Sequence, residues 1–415
     1  TFTNREWGDG TESPELFNPS ALDARQWARA AKSAGFRALI LTAKHHDGFC
    51  LWPSRLTRHS VAASRWRGGR GDVVREFTDA CRAEGLGAGV YLSPWDRHEP
   101  SYGDSARYND FYCGQLTELL TRYGALQEVW FDGGKGGDPN GKRQVYDWPR
   151  IWGLAKRLQP RALLFSDAGP DLRWIGNERG VAGDPDWCAV DPDVVTYPGQ
   201  SGPEVTAMLE HGDAEGTVWR PGEADVSIRP GWFYHAAEDS RVKTVAELVD
   251  LYFNSVGRNA KMLLNVPPTP AGLLHHTDVN RLADFHRRLR FLFSRELGVT
   301  PELEWRGRVG TVDLGQAAWV AIFALEERVE EGQRVAGYTL EGEDEKGVWT
   351  RLTQGRTIGL RKLDRLAAPR VGAGPSAPAA RVPLVAVRRL RLTVRSKGGE
   401  PGARPVRLRV YGWVE

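Results

Sequence analysis

The chain has 415 residues, of which 41% are hydrophobic and 26% are charged, as is usual for a globular protein. Its 56 basic and 53 acidic side chains leave a formal net charge of +3 without an evident basic cluster, so we expect no nucleic-acid partner. No apolar run reaches the roughly 18 residues that a transmembrane helix needs, so we expect no membrane insertion.

Four widely spaced cysteines lack any CxxC pairing, and we predict buried thiols rather than disulfides or a zinc site. They are Cys50, Cys81, Cys113 and Cys188. The sequence begins at "TFTNREWGDG" without a methionine, from which we expect the native protein to be longer. The compartment is therefore left open between cytoplasmic and secreted, and no oligomeric state is indicated.

Residues 21–294 alternate helix-like and strand-like segments. Amphipathic patterns predict helices at 22–35, 71–85, 105–124, 148–160, 244–257 and 278–293. Apolar runs predict strands at 36–44, 86–94, 126–134, 161–169, 216–223 and 259–268. This alternation indicates an α/β fold with a parallel sheet covered on both faces. The number of segments fits a (β/α)8-like TIM barrel with a truncated first strand. A doubly wound sheet is the alternative, but no GxGxxG follows the early strands.

The pattern changes after residue 300, where short strands and turns follow one another without helices. We predict strands at 317–325, 334–342, 347–355, 357–363, 387–394 and 404–415, with a Pro/Ala/Gly-rich loop at 368–383. This pattern is typical of an all-β sandwich or jelly roll. The predicted domains are therefore a catalytic barrel over 1–297 and a C-terminal β-sandwich over 298–415.

In a TIM barrel the active site lies at the C-terminal ends of the strands. The residues at those positions here are rich in carboxylates, histidines and tryptophans, which suits a neutral polyhydroxyl ligand. No Gly-rich loop with a basic cluster indicates a phosphate site. The strand-end residues are His45, His46 and Asp47; Ser93, Trp95 and Asp96; Asp132 to Gly134; Ser166 and Asp167; and Arg220, Glu223 and Asp225.

Two carboxyl groups, one ionised and one protonated, are what glycoside hydrolysis requires. Asp132 is the best nucleophile candidate because it ends a strand and is followed by two glycines that leave room for a sugar. The competing interpretation is an ordinary turn aspartate in "DGG". Glu178 lies in a loop above the rim and is a candidate acid, or else a surface glutamate. Glu223 is the competing acid.

The adjacent histidines His45 and His46 have three interpretations: zinc ligands, a structural pair, or neutral donors and acceptors for sugar hydroxyls. Adjacent residues at a strand end are expected to point to opposite sides, which disfavours a shared metal ion. We favour sugar contact and expect neither a metal nor another cofactor.

Five blocks in this order resemble glycoside hydrolase family 29, the α-L-fucosidases, as far as about Pro268. They are "TAKHHDGFCLW" (42–52), "GVYLSPWD" (89–96), "EVWFDGG" (128–134), "WIGNERG" (174–180) and "VSIRPGWFYH" (226–235). The last two look like the branch that acts on α-1,3/1,4-linked fucose in branched, Lewis-type oligosaccharides. The family's fold is a (β/α)-type barrel followed by a β-sandwich, which agrees with the pattern above.

The resemblance implies a retaining mechanism with Asp132 as the nucleophile and Glu178 as the acid/base. It also implies that His45 and His46 hold fucose hydroxyls and that Trp130 belongs to the fucose pocket. Weaker matching adds Glu6, Trp7 and Tyr91 to the pocket. By rim position, Trp95, Asp96 and Trp232 are expected to contact the sugar that carries the fucose. For the deoxy carbon of fucose, an apolar wall is expected from Phe49, Trp52 or Trp130.

One family feature is missing, because the additional sugar-binding histidine on the family's first strand would precede the first residue of this sequence. The expected partner is a fucosylated oligosaccharide. The alternatives from other classes are a metal-dependent barrel hydrolase that uses His45 and His46, and a non-catalytic carbohydrate-binding protein.

Overall fold

The computed structural model describes residues 8–134, 136, 143–297, 303–366, 385–399 and 406–414. Helices and strands alternate in its first part, which contains α1 (Ala24–Ser33), β1 (Ala38–Lys44), α2 (Val73–Glu84), β2 (Gly87–Leu92), α3 (Ser105–Arg122), β3 (Glu128–Trp130), α4 (Trp148–Leu158), β4 (Leu163–Ser166), β5 (Leu172–Trp174), β6 (Ala189–Val190), α5 (Pro203–His211), β7 (Val218–Trp219), β8 (Gly222–Ser227), α6 (Val245–Asn254), β9 (Lys261–Asn265) and α7 (His276–Leu292). Among these helices, none is both long enough and apolar enough to span a bilayer.

The second part contains strands and a short 3-10 turn. The strands are β10 (Glu304–Arg306), β11 (Val309–Glu327), β12 (Val335–Glu343), β13 (Trp349–Gly355), β14 (Lys362–Arg365), β15 (Val385–Ser396) and β16 (Val406–Val414). Their pairing is antiparallel throughout, in the order β10-β11-β15-β12-β13, and β14 and β16 also pair with β11. The predicted all-β character is confirmed, whereas its division into two sandwiched sheets stays a prediction.

The first part is built on a seven-stranded sheet in the order β1-β2-β3-β4-β5-β8-β9. All its neighbouring strands are parallel, which confirms the predicted α/β class. Within the described residues, β1 and β9 are the end strands of this sheet, so a closed eight-stranded barrel remains a prediction. The register sets Trp130 of β3 beside Tyr91 of β2 and Phe165 of β4.

Aspartates begin the first four helices. Asp23, Asp72, Asp104 and Asp147 each accept a hydrogen bond from a backbone N–H of the first helical turn. Such caps satisfy N–H groups that have no partner within the helix, so these side chains define where each helix begins.

One predicted strand was wrong. The segment 216–223 does not join the parallel sheet as a unit, because β7 pairs antiparallel with β6 and the parallel strand is β8. Pro221 separates the two and has no N–H to donate to a sheet. The short elements α5 and β5 were not predicted.

The two parts share apolar contacts. Ile322, Leu363 and Tyr411 of the antiparallel strands belong to the same buried cluster as Leu248 of α6 and Phe285 of α7. The predicted boundary between 297 and 298 borders residues outside the described ranges and stays a prediction. All four cysteines are buried free thiols, as predicted.

Candidate active site

Asp132 lies just beyond the end of β3, where both of its carboxylate oxygens are held. The Tyr91 hydroxyl donates to Oδ2 at 2.6 Å, and the Gly134 N–H donates to Oδ1 at 2.6 Å. The side chain is still 26% exposed, so one side of the carboxylate is open. Two short hydrogen bonds to an ionised group fix its direction and leave it accessible to a reacting atom.

The two glycines after Asp132 are required by neighbouring protein groups. A Cβ at Gly133 would lie 2.4 Å from Asp167 Oδ2, and a Cβ at Gly134 would lie 2.9 Å from His46 Cε1. Close packing against Asp167 and His46 is thus one reason for glycine at both positions, and the room that they leave for a sugar stays a prediction.

His46 is buried beside Asp132, and its hydrogen bonds define its tautomer. Its Nδ1 lies 2.7 Å from Ser93 Oγ, and the Ser93 hydroxyl donates its only proton to the Trp95 carbonyl at 2.7 Å. Nδ1 must therefore be the donor, which leaves Nε2 of the neutral ring as an acceptor. Burial lowers the pKa of His46 despite the opposing charge of Asp132, so the neutral ring prevails at neutral pH. Nε2 lies 3.8 Å from Asp132 Oδ2.

His45 lies on the same side as His46, with 4.0 Å between the ring centroids. The expectation of opposite sides was wrong, because β1 ends at Lys44 and the two histidines follow in a turn. The ring stacks near Tyr91 at 5.8 Å and meets the edge of Phe233 at 5.0 Å. Burial, and secondarily His46, holds the pKa of His45 well below its usual value, so this ring is also neutral.

Trp130 is the last residue of β3, two residues before Asp132. Its ring stacks on Phe165 at 4.2 Å and tilts against Tyr91 at 5.3 Å. Its indole N–H donates to Glu223 Oε1 at 2.8 Å. Aromatic and hydrogen-bonding contacts thus hold the ring on several sides.

Glu223 is buried and does not lie where a catalytic acid could reach a substrate. It is 0% exposed, and its second oxygen accepts from Lys261 at 2.5 Å. The residue lies near the start of β8, not at the end of a strand. This contradicts its interpretation as the competing acid.

Glu178 lies on the loop after β5, as expected, and its side chain is exposed. The Trp232 indole N–H donates to its Oε2 at 3.3 Å. Nearby, Asp225 is 5% exposed and accepts from the Trp174 indole at 2.7 Å. Burial raises the pKa of Asp225 to about 8, and the carboxylates of Glu178 and Glu223 act in the same direction. Besides Asp132 and Glu178, the site therefore holds the carboxyl group of Asp225, which is protonated at neutral pH.

The other predicted contacts divide into those near the pocket and those away from it. The centroid of the Trp95 ring lies 4.8 Å from that of His46. Asp96 is 2% exposed, with Oδ2 bound to Lys44 at 2.8 Å and Oδ1 accepting two backbone N–H groups. This geometry replaces the predicted sugar contact of Asp96 with a structural ion pair.

Phe49 and Trp52 belong to the hydrophobic core, so they do not form the expected apolar wall. Glu6 and Trp7 lie outside the described residues.

Sequence reasoning missed Phe233, Trp174 and the proton-holding role of Asp225. Phe233 and Trp174 stand inside the quoted blocks, but only the fold shows which way they face. Alternation along β8 is the signal for Asp225, which lies two residues after the inward-facing Glu223. Among the described residues, no group of three or more His, Cys, Asp or Glu side chains is arranged to hold a metal ion.

The fold agrees with comparisons to known proteins. A family model described as Alpha-L-fucosidase matches residues 3–290. The chain is 45% identical over 395 residues to the putative alpha-L-fucosidase 1 of Oryza sativa subsp. japonica, covering 88% of this chain and 74% of that protein. It is also similar to two solved structures. The putative alpha-L-fucosidase from Bacteroides ovatus has 41% identity and a TM-score of 0.85, with 100% of this chain and 70% of that chain covered. A Ruminococcus gnavus fucosidase of glycoside hydrolase family 29, solved in complex with fucose, has 31% identity and a TM-score of 0.82, with 99% and 90% covered.

The family match covers most of the part that carries Asp132, His46 and Glu178, and the plant relative extends the similarity over nearly nine tenths of the chain. The chain therefore belongs to glycoside hydrolase family 29 and is an alpha-L-fucosidase.

Proposed function

We propose that the protein is a retaining exo-glycosidase that removes α-1,3- or α-1,4-linked L-fucose from branched, Lewis-type oligosaccharides. The observation that carries the proposal is the fixed, partly open carboxylate of Asp132 beside the neutral acceptor Nε2 of His46. A nucleophile needs a defined direction and an open face, and a sugar hydroxyl needs a neutral acceptor close to it.

In the first step, an Asp132 oxygen forms a bond to the anomeric carbon of fucose while the glycosidic C–O bond breaks. The carboxylic proton of Glu178 passes to the departing oxygen. In the second step, water attacks the same carbon, Glu178 takes a proton from that water, and the ester to Asp132 breaks. Two inversions restore the starting configuration.

The fucosyl unit is assigned to the space bounded by His45, His46 and Trp130, with Phe233 as the apolar neighbour of its deoxy carbon. His45 is in edge contact with Phe233, so a polar and an apolar surface meet there. Support for fucose as the ligand comes from the Ruminococcus gnavus relative, which was solved in complex with fucose.

The preference for a branched substrate is supported by the rim. Glu178 is exposed and contacts Trp232, so the assigned acid stands where the rest of the oligosaccharide would leave the pocket. Trp95 lies on the rim beside His46. Indole rings of this kind offer flat apolar surfaces for the C–H faces of further sugar units.

The experiment measures release of L-fucose from a branched 1,3/1,4-fucosylated oligosaccharide and from an aryl α-L-fucoside, for wild type and Asp132→Ala. We expect release from both by the wild type and none by the variant. Asp171→Asn is a matched control, because Asp171 is also 26% exposed but pairs with Lys156 away from the pocket, and it should retain activity.

Release from the aryl substrate alone would reject the branched-substrate assignment and keep the enzyme class. Activity that persists in Asp132→Ala would reject this nucleophile. Sugar binding without turnover by the wild type would favour the alternative of a non-catalytic carbohydrate-binding protein.

A further inference from the structure

Three ionisable side chains form a cluster inside the sheet, beneath the assigned fucose pocket. Glu128, Glu223 and Lys261, here called the floor triad, come from β3, β8 and β9. Lys261 Nζ contacts Glu128 Oε2 and lies 2.5 Å from Glu223 Oε2. Glu128 is 1% exposed and Glu223 is 0% exposed, whereas 37% of the Lys261 side chain is exposed.

Stability alone does not explain such a cluster. The interior of a parallel barrel is commonly filled by branched apolar side chains. Removing charges from water costs free energy, and replacing buried ion pairs by well-packed apolar groups is often neutral or stabilising. A function for the triad is therefore to be sought in what it contacts.

Among the described residues, the side-chain hydrogen bond that links the triad to its surroundings is the one from Trp130. Glu223 offers one oxygen to Lys261 and the other, at 2.8 Å, to the indole N–H of Trp130. The carboxylate is thus held by a cation on one side and orients the indole on the other. A charged acceptor makes a stronger hydrogen bond than a neutral one, so the direction of the N–H is defined.

Trp130 is linked to Asp132 through Tyr91. Its ring contacts Tyr91, and the Tyr91 hydroxyl donates to Asp132 at 2.6 Å. Rotation of the indole would change the floor of the pocket and release the ring of Tyr91 at the same time.

We propose that Glu223, held in place by Lys261 and Glu128, is a positioning residue that fixes the indole of Trp130 and thereby the floor of the fucose pocket. This inference rests on the proposed function to the extent that fucose lies over Trp130. It does not depend on the linkage preference or on the identity of the acid.

The test compares Glu223→Leu in the wild type and in a Trp130→Phe background. The quantities are the inhibition constant of L-fucose and the kcat and KM for an aryl α-L-fucoside. Glu223→Leu should raise the inhibition constant about tenfold or more, the loss of one hydrogen bond to a charged group. In the Trp130→Phe background, which already lacks the N–H, the same change should add little.

Glu118 provides a matched control on α3. Its Oε2 accepts from the Trp52 indole at 2.8 Å, and its Oε1 pairs with Arg122 at 2.8 Å, so the chemistry is the same away from the pocket. Glu118→Leu should lower the melting temperature without changing the inhibition constant of L-fucose. Equal effects of the two leucine variants on that constant would overturn the proposal, as would an undiminished effect of Glu223→Leu in the Trp130→Phe background.

If Glu223→Leu does not fold, a second pair of variants tests the positioning role of Glu223. In Glu223→Gln the single amide oxygen has to serve both Trp130 and Lys261, so the inhibition constant should rise. Adding Lys261→Met frees that oxygen for Trp130 and lets the amide N–H₂ donate to Glu128, so the double variant should recover. Failure to recover would contradict the positioning role.

Failure of the proposed function is distinguishable from failure of this inference. Activity that persists in Asp132→Ala, or absence of release from branched substrates, rejects the former while the fucose inhibition constants still report on Trp130.

Discussion

Replacing Asp225 by asparagine should make the protein more stable at high pH and leave its stability unchanged at low pH. Burial raises the pKa of Asp225 to about 8 in the folded protein, against an ordinary value of 3.8. The folded state then binds a proton that the unfolded state has released, so stability falls as pH rises from about 4 to about 8. The asparagine side chain is neutral at every pH, and its amide oxygen can still accept from the Trp174 indole.

Folding raises the pKa of Asp225 by about 4, and a pKa difference of 1 corresponds to about 1.4 kcal/mol. Above pH 8 the free energy of unfolding of Asp225→Asn should therefore exceed that of the wild type by on the order of 5 kcal/mol. The assay is thermal unfolding of the wild type and Asp225→Asn at intervals between pH 4 and pH 9. The difference in melting temperature should be small at pH 4, grow through the neutral range and level off above pH 8. A difference that stays constant over the whole range, or that is largest in acid, would refute the reasoning. Glu204→Gln, at an exposed position of α5, controls for the loss of one acidic side chain.

Three further changes have expected outcomes. Gly134→Ala places a Cβ 2.9 Å from His46 Cε1, so it should lower kcat/KM for an aryl α-L-fucoside at least tenfold, a loss of about 1.4 kcal/mol of transition-state stabilisation. Trp232→Phe removes the N–H that donates to Glu178, so the activity on a branched substrate should fall more than the activity on the aryl fucoside. Burial lowers the pKa of His59 to about 4, so the folded protein holds this ring neutral while the unfolded chain binds a proton below pH 6.5. The wild type should therefore lose stability as pH falls from 6.5 towards 4, and His59→Gln should show a smaller decrease in melting temperature over that range.

The controls use similar residues away from the pocket. A Cβ at Gly153 on α4 would have, among the described residues, Arg157 Nη1 as its neighbour at 3.4 Å, so Gly153→Ala should leave kcat/KM unchanged. Trp219→Phe, at a 39% exposed position, should not change the ratio of branched to aryl activity. Wild-type kcat/KM in Gly134→Ala, an unchanged substrate ratio in Trp232→Phe, or an unaltered acid limb in His59→Gln would each contradict the corresponding geometry.

The fold class could be predicted because its signals are local. Apolar runs alternate with amphipathic helices, and aspartates at the helix starts fix where the first four helices begin. The position of Asp132 followed from the same pattern, since it needed only the end of one clear strand.

Predictions failed where one or two residues decide which way a side chain points. Because Pro221 cannot donate to the sheet, the parallel strand starts only at Gly222. Glu223 is therefore the second residue of β8 and is buried, whereas the sequence pattern predicts it at a strand end. In the same way β1 ends one residue before His45, and the following turn brings both histidine rings to one side.

Other contacts depend on residues far apart in the chain. Asp96 pairs with Lys44, which lies 52 positions earlier in the chain. Trp130 donates a hydrogen bond to Glu223, which lies 93 positions later. Periodicity within a segment carries no information about such pairs, so the ion pair of Asp96 and the floor triad became visible only in the folded structure.

The central claim is that Asp132 is the nucleophile and Glu178 the acid/base of a double displacement. It is tested most directly by incubating Asp132→Ala and Glu178→Ala with an aryl α-L-fucoside and azide, and by assigning the anomers of the fucosyl azides by NMR. Azide should displace the aryl group directly in Asp132→Ala and give the β-azide. In Glu178→Ala it should attack the ester formed on Asp132 and give the α-azide. The same anomer from both variants, or the reverse assignment, would contradict these roles.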